Sequence, residues 1–347
     1  MSPSPGKHVV FANNYSMRTA FRDVEDGVYP RQHLYGADAL QRAGWDVDVA
    51  PVGTGALLTL SRRLKYAVGD VGQQAYVARR RAPAYSGEPN SLAGLAMARR
   101  AGLRRRPLVT VLHSAPRRTA RTAMQLRGYD RVICLSSYVR DVVNERFGIE
   151  ATWAPWGPAL DFAGYLPEPG GAVVSSGKTN RDQATLLAAL AGISGVVYAR
   201  SPRGLTVPDG VELVTDETHA DALEPGRDHF SYAYVLRHLV AASVVAIPLT
   251  DPSRISGLSE LNDALALGKP VVVTRTPHLM DVDVEAVGCG YWVDAGDVEG
   301  WRTALRRLAG DAALRARMGA AARAFAEERW NADLFGQAVV EALASVR

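Results

Sequence analysis

Short apolar runs alternate with helical patterns along the first 160 residues. Strands are predicted at residues 8–12, 45–50, 108–113, 131–135 and 152–155, and helices at residues 31–43 and 137–146. This alternation is typical of a parallel sheet that is covered by helices on both faces. Ligands bind to such sheets beyond the carboxyl ends of the strands.

The same alternation restarts after a segment rich in proline and glycine, which predicts a linker at residues 159–171. Strands are predicted at residues 172–176, 196–199, 211–214, 244–248, 271–274 and 291–293, and helices at residues 183–191, 232–242, 260–267, 298–308, 312–327 and 332–345. The pattern therefore predicts two α/β domains, at residues 1–158 and 172–328. It adds a last helix, at residues 329–347, that could cross back to the first domain.

Composition and charge add limits to this picture. The chain has 347 residues, of which 47% are hydrophobic and 22% are charged, as in globular proteins. Residues 1–160 hold 23 basic and 12 acidic residues, a net charge of +11, whereas the remainder holds 17 and 24, a net charge of −7. The basic half suits an anionic lipid surface or a phosphorylated acceptor, or it is an arginine-rich surface without a partner. Nucleic acid is not expected, because no recognition motif is present.

Cysteine usage and the amino-terminal residues bear on the compartment. Cys134 and Cys289 fit no metal or redox spacing, and the first residues resemble a strand more than a signal peptide. No apolar run reaches the roughly 18 residues of a membrane span. We therefore expect a cytoplasmic protein, either free or peripheral to the inner face of the membrane.

Residues 256–274, SGLSELNDALALGKPVVVT, combine a small-residue turn, a short helix and a buried strand. The first backbone N–H groups of a helix lack internal partners and attract anions. Gly257 permits a close backbone approach, and Ser259 is predicted to cap the helix. At about 100° per residue, Asp263 shares a face with Ser259. Two interpretations stay open: a phosphate at the helix start with Asp263 facing a ribose, or a capped helix with Asp263 in water.

Four segments make the chain similar to a known family. They are GKTNRDQATLLAAL (residues 177–190), the segment at residues 256–274, GCGYWVDAGDVEGWRTAL (residues 288–305) and LRARMGAAARAFAEERWNADLF (residues 314–335). In the first half, DRVICLSSYVRDVV and WAPWGPALD add to the similarity. The chain resembles the GT-B glycosyltransferases, specifically the large retaining group called family 4. The resemblance implies two Rossmann-like domains with a cleft between them, followed by C-terminal helices.

The resemblance also implies a nucleotide-sugar donor held by the second domain. The positions that match the family's diphosphate contacts are Lys178, Arg181, Gly257, Leu258 and Ser259. Fixed cations suit this role because charge develops on the leaving nucleoside diphosphate as the glycosidic bond breaks. Asp263 stands where the family has a glutamate that holds the ribose. Arg200 and Ser201 follow a predicted strand and fall near the expected nucleobase.

In the first domain, His113 ends a strand at the position where the family often has a histidine that reaches the donor sugar. The resemblance implies a catalytic role for it, whereas a histidine at a strand end is otherwise most often structural. His33, Asn13 and Arg18 are expected to contact the acceptor. His33 opens the predicted helix that lines the acceptor cleft in similar enzymes, and Asn13 and Arg18 lie where the family has paired glycines. The missing glycines imply an unusual acceptor.

Two further departures concern the donor sugar and metals. The family has two glutamates eight positions apart, and the first falls at Ile255, whose side chain cannot accept a hydrogen bond from a sugar hydroxyl. The identity of the donor sugar is therefore left open. The D-x-D patterns at residues 46–48 and 281–283 lie outside the context of the fold that uses them to bind metal. We expect no metal and no cofactor, with the nucleotide-sugar as co-substrate.

The sequence predicts a hexosyltransferase that moves a sugar from a nucleotide diphosphate sugar to an acceptor, with retention of configuration. A UDP-sugar is expected from its frequency in the family, and the acceptor is a small molecule, a glycan or a lipid-linked molecule. One alternative is a GT-B nucleotide-sugar epimerase, which would need a carboxylate pair for proton transfer. Another is a non-catalytic protein that binds nucleotide-sugars.

Overall fold

The computed structural model describes residues 7–52, 69–103, 105–220 and 231–346. The chain divides into two compact units. Unit 1 comprises Met1–Asp26, Pro30–Gly157 and Ala332–Arg347, and unit 2 comprises Gly27–Tyr29 and Pro158–Asn331. The backbone therefore passes from one unit to the other four times.

Unit 1 contains a six-stranded parallel sheet. Its strands are β1 (His8–Ala12), β2 (Asp46–Val49), β3 (Ala84–Ser86), β4 (Leu108–Leu112), β5 (Arg131–Cys134) and β6 (Thr152–Trp153), in the order β2-β1-β3-β4-β5-β6. Every residue of β4 is buried, as expected when helices cover both faces of a parallel sheet. The strand order reverses between β1 and β3, so a crevice is expected at the carboxyl ends of these strands.

Among the described residues of unit 1 before Gly157, six helices are present. They are α1 (Met17–Glu25), α2 (Ala37–Arg42), α3 (Val71–Ala78), α4 (Ala93–Arg100), α5 (Ala120–Leu126) and α6 (Ser137–Phe147). The single helix predicted at residues 31–43 is wrong, because a 3-10 turn at Arg31–Leu34 precedes α2. Tyr35 and Gly36 between them have φ of 50° and 76°, a left-handed conformation that ends one helix before the next begins.

Unit 2 repeats the architecture. Its strands are β7 (Ala172–Ser175), β8 (Gly195–Ala199), β9 (Val211–Thr215), β10 (Ala242–Ile247), β11 (Val271–Thr274) and β12 (Gly290–Val293), in the order β12-β11-β10-β7-β8-β9, all parallel. Its helices are α7 (Gln183–Ala189), α8 (Tyr232–Val240), α9 (Leu258–Ala266), α10 (Val298–Gly310) and α11 (Ala312–Arg329). The strand order reverses between β7 and β10, so the expected crevice of unit 2 lies at their carboxyl ends.

The last helix, α12 (Ala332–Ala344), belongs to unit 1. It packs on α2, where a Cβ added to Gly36 would touch Val339 at 3.0 Å. Asp333 accepts hydrogen bonds from the guanidinium groups of Arg31 and Arg42, at 2.8 and 3.0 Å.

Candidate functional site

The carboxyl ends of β7 and β10 carry the candidate site of unit 2. The loop after β7 crosses to the end of β10, where Arg181 forms an isolated antiparallel bridge with Leu249. Asn180 fastens the loop further, since its side chain exchanges two hydrogen bonds of 2.9 Å with the backbone of Asp251. The cations of this loop are therefore held at the crevice by the backbone.

Arg181 and Glu260 form a buried ion pair at this crevice. Arg181 Nη2 lies 2.9 Å from Glu260 Oε2, and the two side chains are 6% and 4% exposed. The other oxygen of Glu260 accepts hydrogen bonds from the backbone N–H and the hydroxyl of Ser176, at 2.5 and 2.9 Å. Glu260 thus joins the first turn of α9 to the end of β7.

One nitrogen of the Arg181 guanidinium has no hydrogen-bond partner among the described residues. The Nη1 of Arg181 donates to the carbonyl of Thr179 at 2.8 Å, but its buried Nε has no hydrogen-bond partner among the described residues. Buried donors are rarely left unpaired in folded proteins, because the loss of water is not offset. An anion at this crevice would supply the missing acceptor.

Lys178 lies on the same loop and also faces a carboxylate. Its Nζ donates to Asp216 Oδ1 at 2.5 Å, and the Lys178 side chain is 10% exposed. Asp216 directly follows β9, so the pair spans the carboxyl ends of β7 and β9. Both predicted diphosphate cations are therefore balanced by carboxylates, Lys178 by Asp216 and Arg181 by Glu260.

Helix α9 begins two residues earlier than predicted. Its N-cap is Gly257, with φ of 82° and no side-chain capping bond, so the prediction that Ser259 caps the helix is wrong. Ser259 is exposed, and Leu258 is buried. A Cβ on Gly257 would collide with Ile247 of β10, and glycine is therefore needed for both conformation and space. The first backbone N–H groups of α9 point to the crevice end of the sheet.

Asp263 is buried beneath two tyrosines. Its Oδ1 accepts hydrogen bonds from the hydroxyls of Tyr165 and Tyr232, at 2.7 and 2.8 Å. Burial raises the pKa of Asp263 to about 7, although both tyrosine hydrogen bonds lower it. The interpretation that placed Asp263 in water is wrong, and its role toward a ribose stays a prediction.

Arg200 and Ser201 follow β8. Arg200 is exposed, and its Nη2 lies 3.4 Å from the hydroxyl of Thr179 on the Lys178 loop. The Ser201 hydroxyl accepts from the backbone N–H of Arg203 at 3.3 Å. Both residues lie at the carboxyl edge of the sheet, and their contact with a nucleobase stays a prediction.

In unit 1, His113 directly follows β4. Its Nε2 lies 2.8 Å from the carbonyl oxygen of Gly87, and because a carbonyl only accepts, Nε2 carries the proton. Burial lowers the pKa of His113 more than this hydrogen bond raises it. The imidazole is therefore neutral at pH 7, and its Nδ1 is an acceptor.

An aromatic stack supports His113. Tyr35 stacks on His113 and on Trp156, with ring centroids 5.2 and 5.6 Å apart, and His33 meets Trp156 edge to face at 5.5 Å. Burial lowers the pKa of His33 to about 4. His33 is thus uncharged at neutral pH, so any contact with an acceptor would involve a neutral ring.

Asn13 and Arg18 are placed differently by the fold. Asn13 is buried after β1, where Gln73 accepts from its backbone N–H and donates to its carbonyl, at 3.1 and 2.6 Å. A Cβ on Gly87 would lie 2.8 Å from the Asn13 side chain. Arg18 is exposed on α1 and lines a cavity of about 560 Å³ along β2 with residues such as Phe21. Asn13 and His113 therefore share the carboxyl edge of unit 1, and Arg18 lies apart from them.

Several residues of these sites were missed by the sequence reasoning. No site role was assigned from the sequence to Glu260, Asp216, Tyr165 or Tyr232. The contacts that reveal them join residues between 31 and 98 positions apart. The one available signal was a carboxylate directly after a strand, at Asp216.

Known structures share the architecture of this chain. HepE of Anabaena in complex with UDP-glucose is 17% identical with a TM-score of 0.70, over 97% of this chain and 99% of that one. Sucrose-phosphate synthase of Thermosynechococcus elongatus is 15% identical with a TM-score of 0.72, over 97% and 98%. WaaG, a glycosyltransferase involved in lipopolysaccharide biosynthesis, is 13% identical with a TM-score of 0.60, over 98% and 99%. The chain has the GT-B fold.

At the level of sequence, this GT-B chain matches no protein-family model and no curated protein. Within its described residues, no helix is both long and apolar enough to cross a membrane. In the same residues, no group of three or more His, Cys, Asp or Glu side chains is arranged to hold a metal ion.

Proposed function

We propose that the chain is a glycosyltransferase that moves a hexosyl group from a UDP-sugar to an acceptor hydroxyl. The observation that carries this proposal is the unpaired, buried Nε of Arg181 at the crevice of unit 2. The GT-B fold adds support, because HepE, which shares it, has been solved with UDP and with UDP-glucose.

In the proposed reaction, the bond between the sugar C1 and the β-phosphate oxygen breaks, and a bond from C1 to the acceptor oxygen forms. The acceptor hydroxyl attacks from the face that the phosphate leaves, so the configuration at C1 is retained. The proton of that hydroxyl passes to a β-phosphate oxygen of the departing UDP. No covalent enzyme intermediate and no metal ion take part.

The chain's own residues would stabilise the charge that develops on the β-phosphate. Arg181 would donate from Nε, Lys178 from its ammonium group, and the start of α9 from its backbone N–H groups. Because Glu260 and Asp216 already hold these cations in place, little reorganisation is needed when the donor binds. His113 would contact the donor sugar as a neutral imidazole, and Asn13 and His33 would contact the acceptor. Arg18 would contact only a part of the acceptor that extends toward β2.

We expect Lys178→Ala and Arg181→Ala each to lower kcat/KM for transfer from UDP-glucose by roughly 100-fold or more, the usual effect of losing one charge-stabilising donor. The measurement is UDP release with a broad acceptor panel. Arg306→Ala, at an exposed position on α10, is the matched control and should keep full activity. Full activity in the Lys178/Arg181 double variant would overturn the proposal.

Stability must be separated from activity, because Arg181→Ala also leaves Glu260 buried without its partner. Breaking a buried ion pair in this way costs about 3–5 kcal/mol. The pair variant Arg181→Met with Glu260→Gln removes both charges and should recover much of that stability while transfer stays lost. Recovery of transfer as well as stability would show that Arg181 is structural.

A further inference from the structure

The amino end of α6 in unit 1 carries a buried hydroxyl to which no described residue forms a hydrogen bond. Ser136 is the N-cap of this 11-residue helix, yet its side chain makes no capping hydrogen bond. Ser136 is 0% exposed, and its Oγ has no hydrogen-bond partner among the described residues. A buried hydroxyl without a partner costs free energy, so a ligand that pairs with it would relieve that cost.

The sheet register brings the backbone just before this helix next to His113. Leu112 of β4 pairs with Cys134 of β5, and the N–H of Leu135 donates to the carbonyl of Leu112 at 3.1 Å. His113 and Leu135 are therefore neighbours, and Ser136 lies one residue further on. The start of α6 thus opens at the same carboxyl edge of unit 1 as the imidazole.

The loop that leaves this edge is basic, although the carboxylate of Glu88 also lies close enough to act on the pKa of His113 in the raising direction. Arg117 and Arg118 are exposed in the loop after β4 and have no ion-pair partner within the described residues. The carboxylate of Glu88, which follows β3, is occupied by the N–H of Asn90 and the hydroxyl of Ser91, at 2.9 and 2.7 Å. A helix start of this kind, with a free hydroxyl and nearby arginines, favours an anion.

We propose that the amino end of α6 binds a phosphate group of the acceptor, with Ser136 Oγ and the first N–H groups of the helix as donors. This inference rests on the proposed transferase function, because it identifies the substrate class of that reaction. The acceptor is then a phosphorylated molecule, and its hydroxyl would react near His113. Arg117 and Arg118 attract the anion from solution.

The binding test uses the full chain with saturating UDP, so that the crevice of unit 2 is already filled. Inorganic phosphate is titrated by calorimetry. Ser136→Ala should weaken phosphate binding about ten-fold, the usual effect of losing a hydrogen bond to a charged group. Phosphate that does not bind wild-type protein, or that binds Ser136→Ala equally well, would overturn the inference.

A matched helix cap separates a ligand role from a structural one. Ser16 caps α1 by accepting from the N–H of Thr19 at 3.3 Å. Ser16→Ala should lower the melting temperature and leave phosphate affinity unchanged. Ser136→Ala should weaken phosphate binding and leave the melting temperature unchanged, since the Ser136 side chain makes no capping hydrogen bond. A drop in melting temperature for Ser136→Ala without a change in affinity contradicts the inference.

A control for Arg117 and Arg118 is available in two arginines at the amino edge of the same sheet. Arg117→Gln with Arg118→Gln should weaken phosphate binding and reduce its salt dependence. Arg105→Gln with Arg106→Gln changes the same net charge in the loop before β4, and should have little effect. Equal effects of the two double variants would show attraction by net charge alone, against a site at α6.

Transfer assays distinguish this inference from the proposed function. With UDP-glucose, monosaccharide phosphates should be used at least ten-fold better than the matching unphosphorylated sugars, and Ser136→Ala should abolish that preference. Vesicles that contain phosphatidic acid compete for the site if the phosphate belongs to a lipid, and do not compete if it belongs to a soluble acceptor. If unphosphorylated sugars are used as well as their phosphates, only the inference about α6 is wrong. If neither transfer nor UDP binding is detected, the proposed function is wrong.

Discussion

The buried surroundings of Asp263 disfavour the charged form of its carboxyl group. Burial raises its pKa from the ordinary 3.8 to about 7. Between these values the folded state keeps a proton that the unfolded chain has released, so the free energy of unfolding falls as pH rises. A rise of three pKa units lowers the free energy of unfolding by about 4 kcal/mol once the pH is above 7.

We therefore expect Asp263→Asn to remove a loss of stability that the wild type shows between pH 4 and pH 7. Urea unfolding at several pH values measures it. Buried histidines act in the opposite sense. The pKa of His33 is lowered to about 4, so its burial makes the free energy of unfolding fall as the pH falls below 6.5. The buried histidines remain in both proteins, so the difference between wild type and variant isolates Asp263. Asp209→Asn, at an exposed position, should match the wild type throughout; the same behaviour from Asp263→Asn would contradict the assignment.

At the residue scale, the family resemblance singled out Lys178 and Arg181, but the sequence did not reveal their partners. Both cations stand in the loop after β7, within a short segment that carries the resemblance, and their role toward a diphosphate stays a prediction. Glu260 lies 79 residues from Arg181, and Tyr165 lies 98 residues from Asp263. Residues so far apart in the sequence come together only when the sheet forms, so no local pattern reveals these contacts.

At the element scale, the start of α9 depends on one glycine. Gly257→Ala would place a methyl group against Ile247 and would also strain a backbone with φ of 82°. Gly296→Ala has a similar φ of 76°, but nothing lies within 4 Å of its added Cβ. The left-handed backbone alone costs an alanine about 1–2 kcal/mol, so we expect Gly296→Ala to lose about that much stability.

We expect Gly257→Ala to lose clearly more stability and also to weaken UDP binding, since the start of α9 must shift. Chemical denaturation and calorimetry with UDP measure the two effects. Equal losses for the two alanine variants would show that the contact with Ile247 relaxes freely.

The elements predicted best are those with long apolar runs. Strands β1, β4, β10 and β11 were placed within one or two residues because each is a largely apolar run, and all their residues except His8 are buried. Strand β3 and helices α1, α3, α4 and α5 were not predicted. Strand β3 has only three residues, too few to show a period, and its burial follows from pairing with β1 and β4.

At the scale of the whole molecule, two series of alternating elements were enough to predict the two-sheet architecture. The sequence did not reveal that Gly27–Tyr29 belongs to unit 2. There, Tyr29 meets Tyr232 edge to face, with ring centroids 4.9 Å apart. This short segment carries no pattern of its own, because Gly27–Tyr29 form neither a helix nor a strand.

Removal of residues 332–347 should destabilise unit 1. Phe335, Val339 and Leu343 are at most 1% exposed, and burial of three such side chains contributes about 6 kcal/mol, which is comparable to the stability of a domain. Hydrogen exchange followed by mass spectrometry should show lost protection in the sheet of unit 1 and retained protection in the sheet of unit 2. Unchanged protection in unit 1 would mean that α12 is dispensable.

The position of α12 has a consequence for synthesis. Because residues 332–344 follow the whole of unit 2 in the chain, a ribosome completes unit 2 before it supplies the last helix of unit 1. Domains generally fold in the order in which they are made, but here the unit that begins first is finished last. Until α12 emerges from the ribosome, the apolar face of α2 stays exposed. A nascent chain stalled before residue 332 is therefore expected to bind a chaperone through unit 1.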